Sequence, residues 1–190
     1  MARWVVRVVV AIVLLVVTLF LLDRADLFTE TVAHGTSSDA PTFACGDRGL
    51  AEGFTYRFRD PKRGELVVFH AAGRIGEVIT PDADSRDLAV LKRVVGVPGD
   101  QVVARNGRVY VNGLKFDDIA TEPFAKVDLA TDRYFLLGDN RSFSQDSRDF
   151  GPVPRNAIFA RAFFVTWPPR HFGTFPSRKR GRPPGAGYCN

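Results

Sequence analysis

The sequence predicts a mainly β protein, in which a single N-terminal transmembrane helix is followed by an all-β domain of antiparallel sheets. One long apolar run lies near the N terminus, at residues 4–22. After it, short stretches rich in Val, Ile, Phe and Tyr alternate with Gly, Asn and Pro turns, which is typical of β sandwiches and barrels. No segment of this outer part carries a convincing helical period of apolar residues, so we expect strands to build it.

The apolar run is expected to be an uncleaved membrane anchor. Residues 4–22 are apolar or threonine except for Arg7, and a helix needs about 20 such residues to cross a bilayer. Arg3 and Arg7 precede the core of the run and favour a cytoplasmic N terminus. A cleavable signal peptide is the alternative, but no small-x-small cleavage site follows closely. Residues 1–23 are therefore predicted to be a cytoplasmic stub and transmembrane anchor.

The remaining chain divides into a body and a tail. We expect residues 24–170 to form an extracytoplasmic β domain and residues 171–190 to be a disordered, basic, Pro/Gly-rich tail. The net charge of the chain is +5, but the tail holds four basic residues and no acid. The body is therefore near neutral, and a nucleic-acid-binding face is not indicated. Alternatively, Trp167, Phe172 and Phe175 contact the bilayer interface at the start of the tail.

Turn signals divide the body into short strands. Asn106-Gly107 is a strong hairpin signal between two apolar stretches, and Asn112-Gly113 makes a second such turn. Residues 117–132 are expected to be irregular and residues 142–150 to form a polar loop. The predicted strands are residues 27–33, 65–70, 75–79, 88–95, 101–105, 108–111, 114–116, 134–137 and 157–167.

The strand at residues 88–95 carries an unusually placed charge. Side chains alternate between the two faces of a strand, so Val90, Lys92 and Val94 share one face. Lys92 is therefore expected to point toward a core or a pocket floor. Burial disfavours the charged form of an amine, and a lysine held as a neutral amine is a usable general base. A lysine whose ammonium group reaches solvent from the strand edge is the alternative.

The cysteines and histidines do not indicate a metal site or a histidine-based catalytic triad. No Cys/His spacing resembles a metal site, so neither a metal nor another cofactor is expected. Cys45 and Cys189 lie on the predicted outer side, where a disulfide is chemically allowed, but the sequence does not decide whether they pair. His34, His70 and His171 form no recognisable Ser/His/Asp pattern.

Four sequence motifs, here called boxes, follow one another along the body in a characteristic order. Residues 38–42 read Ser-Asp-Ala-Pro-Thr, residues 63–69 Arg-Gly-Glu-Leu-Val-Val-Phe and residues 92–100 Lys-Arg-Val-Val-Gly-Val-Pro-Gly-Asp. Residues 138–151 begin with Gly-Asp-Asn-Arg and continue with a Ser-x-Asp-Ser-Arg-x-Phe-Gly pattern. In this order they resemble the conserved boxes of type I signal peptidases, the bacterial leader peptidases with a Ser/Lys dyad. The resemblance covers residues 35–165.

The resemblance implies a membrane-bound serine endopeptidase that cleaves N-terminal signal peptides from exported pre-proteins, with a signal-peptidase-like β fold. Ser38 would be the nucleophile and Lys92 the general base. The backbone N–H of Ser38 and the hydroxyl of Thr36 would form the oxyanion hole. The enzyme would be a single-pass protein of the plasma membrane, with its N terminus inside and its catalytic domain outside. Signal peptides and the lipid bilayer would be its partners, with no nucleic acid.

The resemblance also assigns supporting and substrate-binding residues. Ser144 would hydrogen-bond and orient the lysine. The polar support would consist of Asp139, Asp146 and Arg148, with the last two forming an ion pair. Substrate would add as an extended strand, with small residues preferred at the first and third positions before the cut. Asp39 and Leu91 would lie near the pockets for those residues.

Asp39 is the departure that matters from the family's pattern, which usually has methionine after the nucleophile. A carboxylate close to Ser38 and Lys92 would favour the ammonium form of the lysine and oppose its use as a base. Three interpretations stay open: the side chain points to solvent, it shifts the working pH upward, or the enzyme is weak. The second predicts that Asp39→Met raises activity at neutral pH.

Two other functions are compatible with the sequence. One is a specialised processing peptidase of the same superfamily, such as one that matures pilin precursors, which the altered box at Ser38 favours. The other is a catalytically weak, membrane-tethered binding module, which the presence of Ser38, Lys92 and Ser144 argues against. The self-cleaving repressors share the Ser/Lys chemistry, but they carry a DNA-binding domain where this chain has an anchor. Oligomeric state is not predicted.

Overall fold

The computed structural model of the chain describes residues 2–24, 28–32, 38–79 and 88–175. Predictions on Thr36, His34, Cys189 and residues 176–190 lie outside these ranges. Cys45, one of the two cysteines whose pairing the sequence leaves open, is disulfide-bonded.

The N-terminal apolar run forms one helix, α1, over Ala2–Arg24. Its side chains at residues 3–18 are exposed. In the described parts of the chain, no helix meets the combined length and hydropathy required of a membrane span.

The described residues after α1 form twelve strands, which confirms the predicted mainly β architecture of antiparallel sheets. Their bounds are β1 Phe28–Val32, β2 Arg48–Glu52, β3 Leu66–His70, β4 Ala89–Gly96, β5 Gln101–Arg105, β6 Arg108–Val111, β7 Leu114–Lys115, β8 Phe124–Asp128, β9 Arg133–Leu137, β10 Val153–Pro154, β11 Ile158–Trp167 and β12 Gly173–Thr174. Single 3₁₀ turns lie at Thr55–Arg57, Arg155–Ala157 and Pro169–His171.

The strands form two sheets. The large sheet has eight strands in the order β1-β2-β11-β3-β4-β9-β10, with β12 paired to β11. The small sheet has four strands in the order β7-β6-β5-β8. All of their pairings are antiparallel. In the large sheet β11 pairs with β2 and β3, and β4 pairs with β9, so these neighbours are distant in sequence, whereas the small sheet is largely made of hairpins.

The two Asn-Gly turns form as predicted. Asn106 and Gly107 have φ angles of 52° and 71°, and they connect β5 to β6 with Arg105 paired to Arg108. Positive φ at both central residues matches the type I′ turn that suits the twist of a hairpin. Asn112-Gly113 connects β6 to β7 with the same sign of φ.

Five local predictions were wrong or incomplete. Residues 75–79 are not a strand but lie in the short helix α2, Arg74–Ile79, because Ile75, Val78 and Ile79 have helical spacing and pack on the core. The segment 117–132 is not wholly irregular, since β8 pairs with β5 there. The loop 142–150 ends in a one-turn helix, α3, over Ser147–Phe150. Strand β2 was not predicted. The expected tail, 171–190, contains β12 among its described residues.

The core consists of three apolar clusters. One contains Val67, Phe69, Val94 and Leu136 of the large sheet. A second contains Ala51, Leu66, Val68, Ala160 and Ala162 of the same sheet. The third joins the ends of β4 and β9 to the small sheet through Val95, Val102, Val109, Phe135 and Leu137. Strand β4 therefore lies where both sheets meet, and it carries Lys92 there.

Candidate active site

Ser38 and Lys92 are brought together although they are 54 positions apart in the chain. Ser38 begins a tight turn in which the backbone N–H groups of Thr42 and Phe43 donate to the carbonyl oxygen of Asp39. Lys92 lies in the middle of β4, where its cross-strand partner is Val67. Lys92 Nζ and Ser38 Oγ are 2.6 Å apart, and the two residues are 3% and 9% exposed. The prediction that Lys92 points into the interior is confirmed, and the solvent-reaching alternative is wrong.

The side chain of Asp39 turns inward and joins this pair. Its Oδ2 accepts a hydrogen bond of 2.7 Å from Ser38 Oγ, and Lys92 Nζ lies 3.3 Å from the same oxygen. Asp39 is 4% exposed, so the interpretation that it points to solvent is wrong. Burial raises the pKa of Asp39 above its ordinary value, although the charge of Lys92 and the hydrogen bond from Ser38 oppose the shift.

A buried ion pair supports the turn that carries the nucleophile. Arg93 donates from Nε and Nη2 to the two carboxylate oxygens of Asp139, each at 2.7 Å, and Thr42 donates to Asp139 Oδ2. Arg93 also donates to the carbonyl oxygen of Gly64 at 2.6 Å. Burial alone would raise the pKa of Asp139, but the Arg93 guanidinium outweighs it and the net shift is downward. Asp139 therefore connects the Ser38 turn to β4 as an ionised carboxylate.

The loop after β9 approaches the nucleophile closely. The backbone N–H of Asn140 donates to the carbonyl oxygen of Ser38 at 3.0 Å. A Cβ added at Gly138 would come closer to Ser38 O and to Ser144 Oγ than real Cβ contacts allow. Gly138 is therefore required for space. Sequence reasoning gave no role to Gly138 or Asn140, although both lie in the box at residues 138–151.

Ser144 lies beside Gly138, but it does not make the expected hydrogen bond to the lysine. Within the described part of the chain, Ser144 Oγ is buried without a hydrogen-bond partner. The hydrogen bonds of Lys92 Nζ go to Ser38 Oγ, Asp39 Oδ2 and the carbonyl oxygen of Leu91, the last at 2.9 Å. In this chain Asp39, not Ser144, contacts Lys92.

The predicted ion pair of Asp146 and Arg148 is confirmed. Arg148 Nε lies 2.8 Å from Asp146 Oδ1, and Arg148 Nη2 lies 2.9 Å from Oδ2. Asp146 also caps α3 and accepts a hydrogen bond of 3.0 Å from the backbone N–H of Gly138. Arg148 donates to the carbonyl oxygen of Ser144 at 3.0 Å. The pair thus holds the loop that packs on Ser38.

Sequence reasoning missed two further residues of this site, Arg93 and Thr42. Both lie in the boxes that carried the resemblance, so their position was the available signal, but no local pattern shows that they meet at Asp139. Leu91, predicted to lie near a substrate pocket, is partly buried beside the apolar cluster of Leu66 and Val68. Among the described residues, no three His, Cys, Asp or Glu side chains are placed to hold a metal ion.

The geometry is that of a buried hydroxyl in contact with a buried amine. A hydroxyl whose neighbour can accept its proton is an activated nucleophile, and this pairing can perform acyl transfer without a histidine or a metal. The neighbouring carboxylate is not needed for that chemistry. Comparisons with known proteins identify the family of this chain.

A family profile described as "Signal peptidase, peptidase S26" matches residues 1–167. A probable signal peptidase I-2 from Synechocystis is 41% identical over 138 residues, which cover 70% of this chain and 61% of that protein. Signal peptidase IB of Staphylococcus aureus is 31% identical over 189 residues, covering 87% of this chain and 89% of the relative.

A crystal structure of a signal peptidase I from Enterococcus faecalis covers 53% of this chain and 94% of that chain, with 24% identity and a TM-score of 0.41, too low a likeness to carry over its features. The chain spans about three fifths of the Synechocystis relative, 61% of its length. The family profile nevertheless covers all the boxes from Ser38 to Gly151. The resemblance inferred from those boxes is confirmed: this chain belongs to the signal peptidase family, peptidase S26.

Proposed function

We propose that this chain is a membrane-bound serine endopeptidase that removes N-terminal signal peptides from exported pre-proteins. Ser38 is the nucleophile and Lys92 the general base. The observation that carries the proposal is the 2.6 Å contact between Lys92 Nζ and Ser38 Oγ in a buried site. A proton can pass between two atoms at this distance without an intervening water.

The proposed reaction proceeds through an acyl-enzyme. Lys92, as a neutral amine, takes the proton of the Ser38 hydroxyl while Oγ attacks the carbonyl carbon of the scissile peptide. The Ser38 N–H and the Thr36 hydroxyl stabilise the negative oxygen that forms. The Lys92 ammonium then gives its proton to the leaving amine. Water hydrolyses the resulting ester with Lys92 again as the base.

Strand β4 offers an edge for the substrate. Ala89, Val90 and Leu91 pair with β3 on one side, whereas the pairing of β4 with β9 begins only at Arg93. Among the described strands, the second edge of residues 89–91 is therefore open. An extended peptide can add there as a strand, with its scissile bond near Ser38 and its small residues in pockets beside Leu91 and Asp39.

The proposed location is the plasma membrane of a bacterium. Residues 1–23 act as a single-pass anchor with Arg3 and Arg7 on the cytoplasmic side, residues 24–170 as the extracytoplasmic catalytic domain and residues 171–190 as a basic tail. Ser38 follows the helix α1, Ala2–Arg24, by a short segment. The nucleophile would thus stay near the outer membrane surface, where the end of a translocated signal peptide emerges.

The test is cleavage of a pre-protein with an Ala-x-Ala site by the detergent-solubilised full-length chain between pH 6 and 11. We expect Ser38→Ala and Lys92→Ala to abolish cleavage, because a positioned base alone contributes about 10²–10⁴-fold. Ser142→Ala, an exposed serine of the loop that contains Ser144, and Lys115→Ala, an exposed lysine, are matched controls that should retain full activity.

Failure of the proposed cleavage would distinguish the alternatives. If wild type does not cut the Ala-x-Ala site but Ser38 is acylated by a serine-reactive inhibitor, the chain is a specialised processing peptidase. The replacement of the family's methionine by Asp39 favours this second candidate. If Ser38 is neither active nor labelled, the chain is a membrane-tethered binding module.

A further inference from the structure

Three polar atoms lie within hydrogen-bonding distance of one another at the centre of the site. Lys92 Nζ is 2.6 Å from Ser38 Oγ, Ser38 Oγ is 2.7 Å from Asp39 Oδ2, and Lys92 Nζ is 3.3 Å from the same Oδ2. All three residues are at most 9% exposed. The proposed Ser/Lys chemistry needs only the first of these contacts, so the carboxylate requires an explanation of its own.

The hydrogen bonds of this triangle fit a charged lysine. A lysine ammonium has three hydrogens to donate and no acceptor. Lys92 Nζ faces three acceptors, namely Ser38 Oγ, Asp39 Oδ2 and the carbonyl oxygen of Leu91. Ser38 Oγ in turn donates its hydrogen to Asp39. In this arrangement the hydroxyl hydrogen is directed at the carboxylate, and each of the three hydrogens of a Lys92 ammonium has an acceptor.

The other charges near the triangle are already balanced. Asp139, on the loop after β9, and Arg93, on β4, are the further ionisable groups that act on Asp39. They form a bidentate ion pair with each other. Lys92 is thus the direct counter-ion of Asp39. The charge of Lys92 favours the ionised form of Asp39 against the burial that raises the pKa of this carboxyl.

We propose that Asp39 is a pH-setting brake on the Ser38/Lys92 pair: its buried carboxylate holds Lys92 as an ammonium and holds the Ser38 hydroxyl proton, so that the site attacks substrate only at alkaline pH. This inference rests on the proposed function. Attack begins when the ammonium has lost one proton to solvent hydroxide. The Ser38 O–H bond then breaks as a new N–H bond forms on Lys92, and Oγ bonds to the substrate carbonyl carbon.

The experiment compares wild type with Asp39→Asn, which keeps the shape of the side chain but removes its charge, and with Asp39→Met. The rate of Ala-x-Ala cleavage is measured from pH 6 to 11 in detergent. We expect the acid limb of kcat/KM to move to lower pH in both variants, by about 1–3 pH units, which is the usual effect of a close opposite charge. Asp132→Asn, an exposed carboxylate at the far end of β9, is the control and should not move it.

A second readout needs no substrate and separates this inference from the proposed function. The chain has five lysines, so ε-carbon-labelled lysine gives few NMR signals, and Lys92→Gln identifies the one from Lys92. The Lys92 signal should titrate at lower pH in Asp39→Asn than in wild type. If it does while neither wild type nor any variant cleaves the pre-protein, the brake stands and the proposed function fails. The brake is overturned if the signal and the acid limb are unchanged in both variants, or if both variants lose activity at every pH.

Discussion

Both sheets of this protein bury apolar residues, but the large sheet also buries a group of charges around β4. The cluster of the small sheet is apolar, with Val102, Val109 and Phe116 at its centre. The part of the large sheet around β4 instead buries charges, namely Lys92, Arg93, Asp39 and Asp139, each at most 4% exposed. The small sheet is formed by neighbours in sequence, whereas each of these four buried charges finds its partner across a long stretch of chain.

This difference indicates that the small sheet contributes mainly to stability and the large sheet to function. Apolar burial is non-directional, so a hairpin sheet with an apolar face needs little beyond its turns and its pattern. A buried charge is tolerated only where partners are placed at fixed distances. The small sheet therefore supports β4 and β9 from one side, and the large sheet carries the site.

The largest effect is expected from breaking a buried charge pair. Arg93→Met leaves Asp139 buried without its counter-ion, which should lower the free energy of unfolding by about 3–5 kcal/mol. Guanidinium unfolding of the full chain in detergent measures this. Because Arg93 holds the pKa of Asp139 below its ordinary value, the pair stabilises the fold above the ordinary Asp pKa and loses that stabilisation as pH falls through the lowered value.

The variant should therefore lose the acid-sensitive part of the stability of wild type. Val109→Ala, in the small sheet, should lower the free energy of unfolding by an amount that does not change with pH, because it removes only apolar contacts. An equal response of the two variants to acid would break the comparison between the sheets. Arg133→Met, which removes an exposed pair with Asp132, should change stability by about 1 kcal/mol or less.

A smaller effect is expected from two glycines that serve different purposes. Gly138→Ala places a Cβ against the backbone of Ser38, and a displaced nucleophile should lower kcat by about 100-fold. Gly113, in the β6–β7 turn, has a φ of 81° and open space around it. Gly113→Ala should lower the free energy of unfolding by about 1–2 kcal/mol through backbone strain and leave kcat unchanged. Steady-state kinetics and unfolding curves of both variants measure these effects. An equal loss of kcat in the two variants would contradict the different roles of the two glycines.

The smallest effect concerns two aromatic pairs, one at the Ser38 turn and one between the two sheets. Phe175 packs edge-on against Phe43 of the Ser38 turn, with 5.6 Å between the ring centroids. Phe124 of the small sheet stacks on Phe135, with 5.3 Å between the centroids. Replacing Phe175 or Phe124 by Leu should lower stability by about 0.5–1.5 kcal/mol. Only Phe175→Leu should also lower kcat, since only that ring packs beside the nucleophile's turn. A fall in kcat for Phe124→Leu would contradict this.

Much of the fold could be predicted because its signals are local. The Asn106-Gly107 turn and its two strands are a matter of a few adjacent residues, and they form as expected. Strand β8 was missed because Phe124 and Val127 gain their order from β5, not from their own pattern. Helix α2 was mistaken for a strand because a short apolar run does not by itself fix its period.

For the site, the sequence by itself determined which residues are available. The order of the boxes indicated Ser38 and Lys92 as a pair, and the alternation of β4 predicted that the lysine is buried. The resemblance also predicted the Asp146–Arg148 pair, whose two residues lie two positions apart.

Only the tertiary structure decided the electrostatics of the Ser38/Lys92 pair. It turned Asp39 inward onto Lys92, 53 positions away, and joined Arg93 to Asp139 across 46 positions. It also left Ser144 beside Gly138 and not on the lysine. The reason is physical: the energy of a buried charge depends on distances of a few ångströms to groups that only the folded chain brings together.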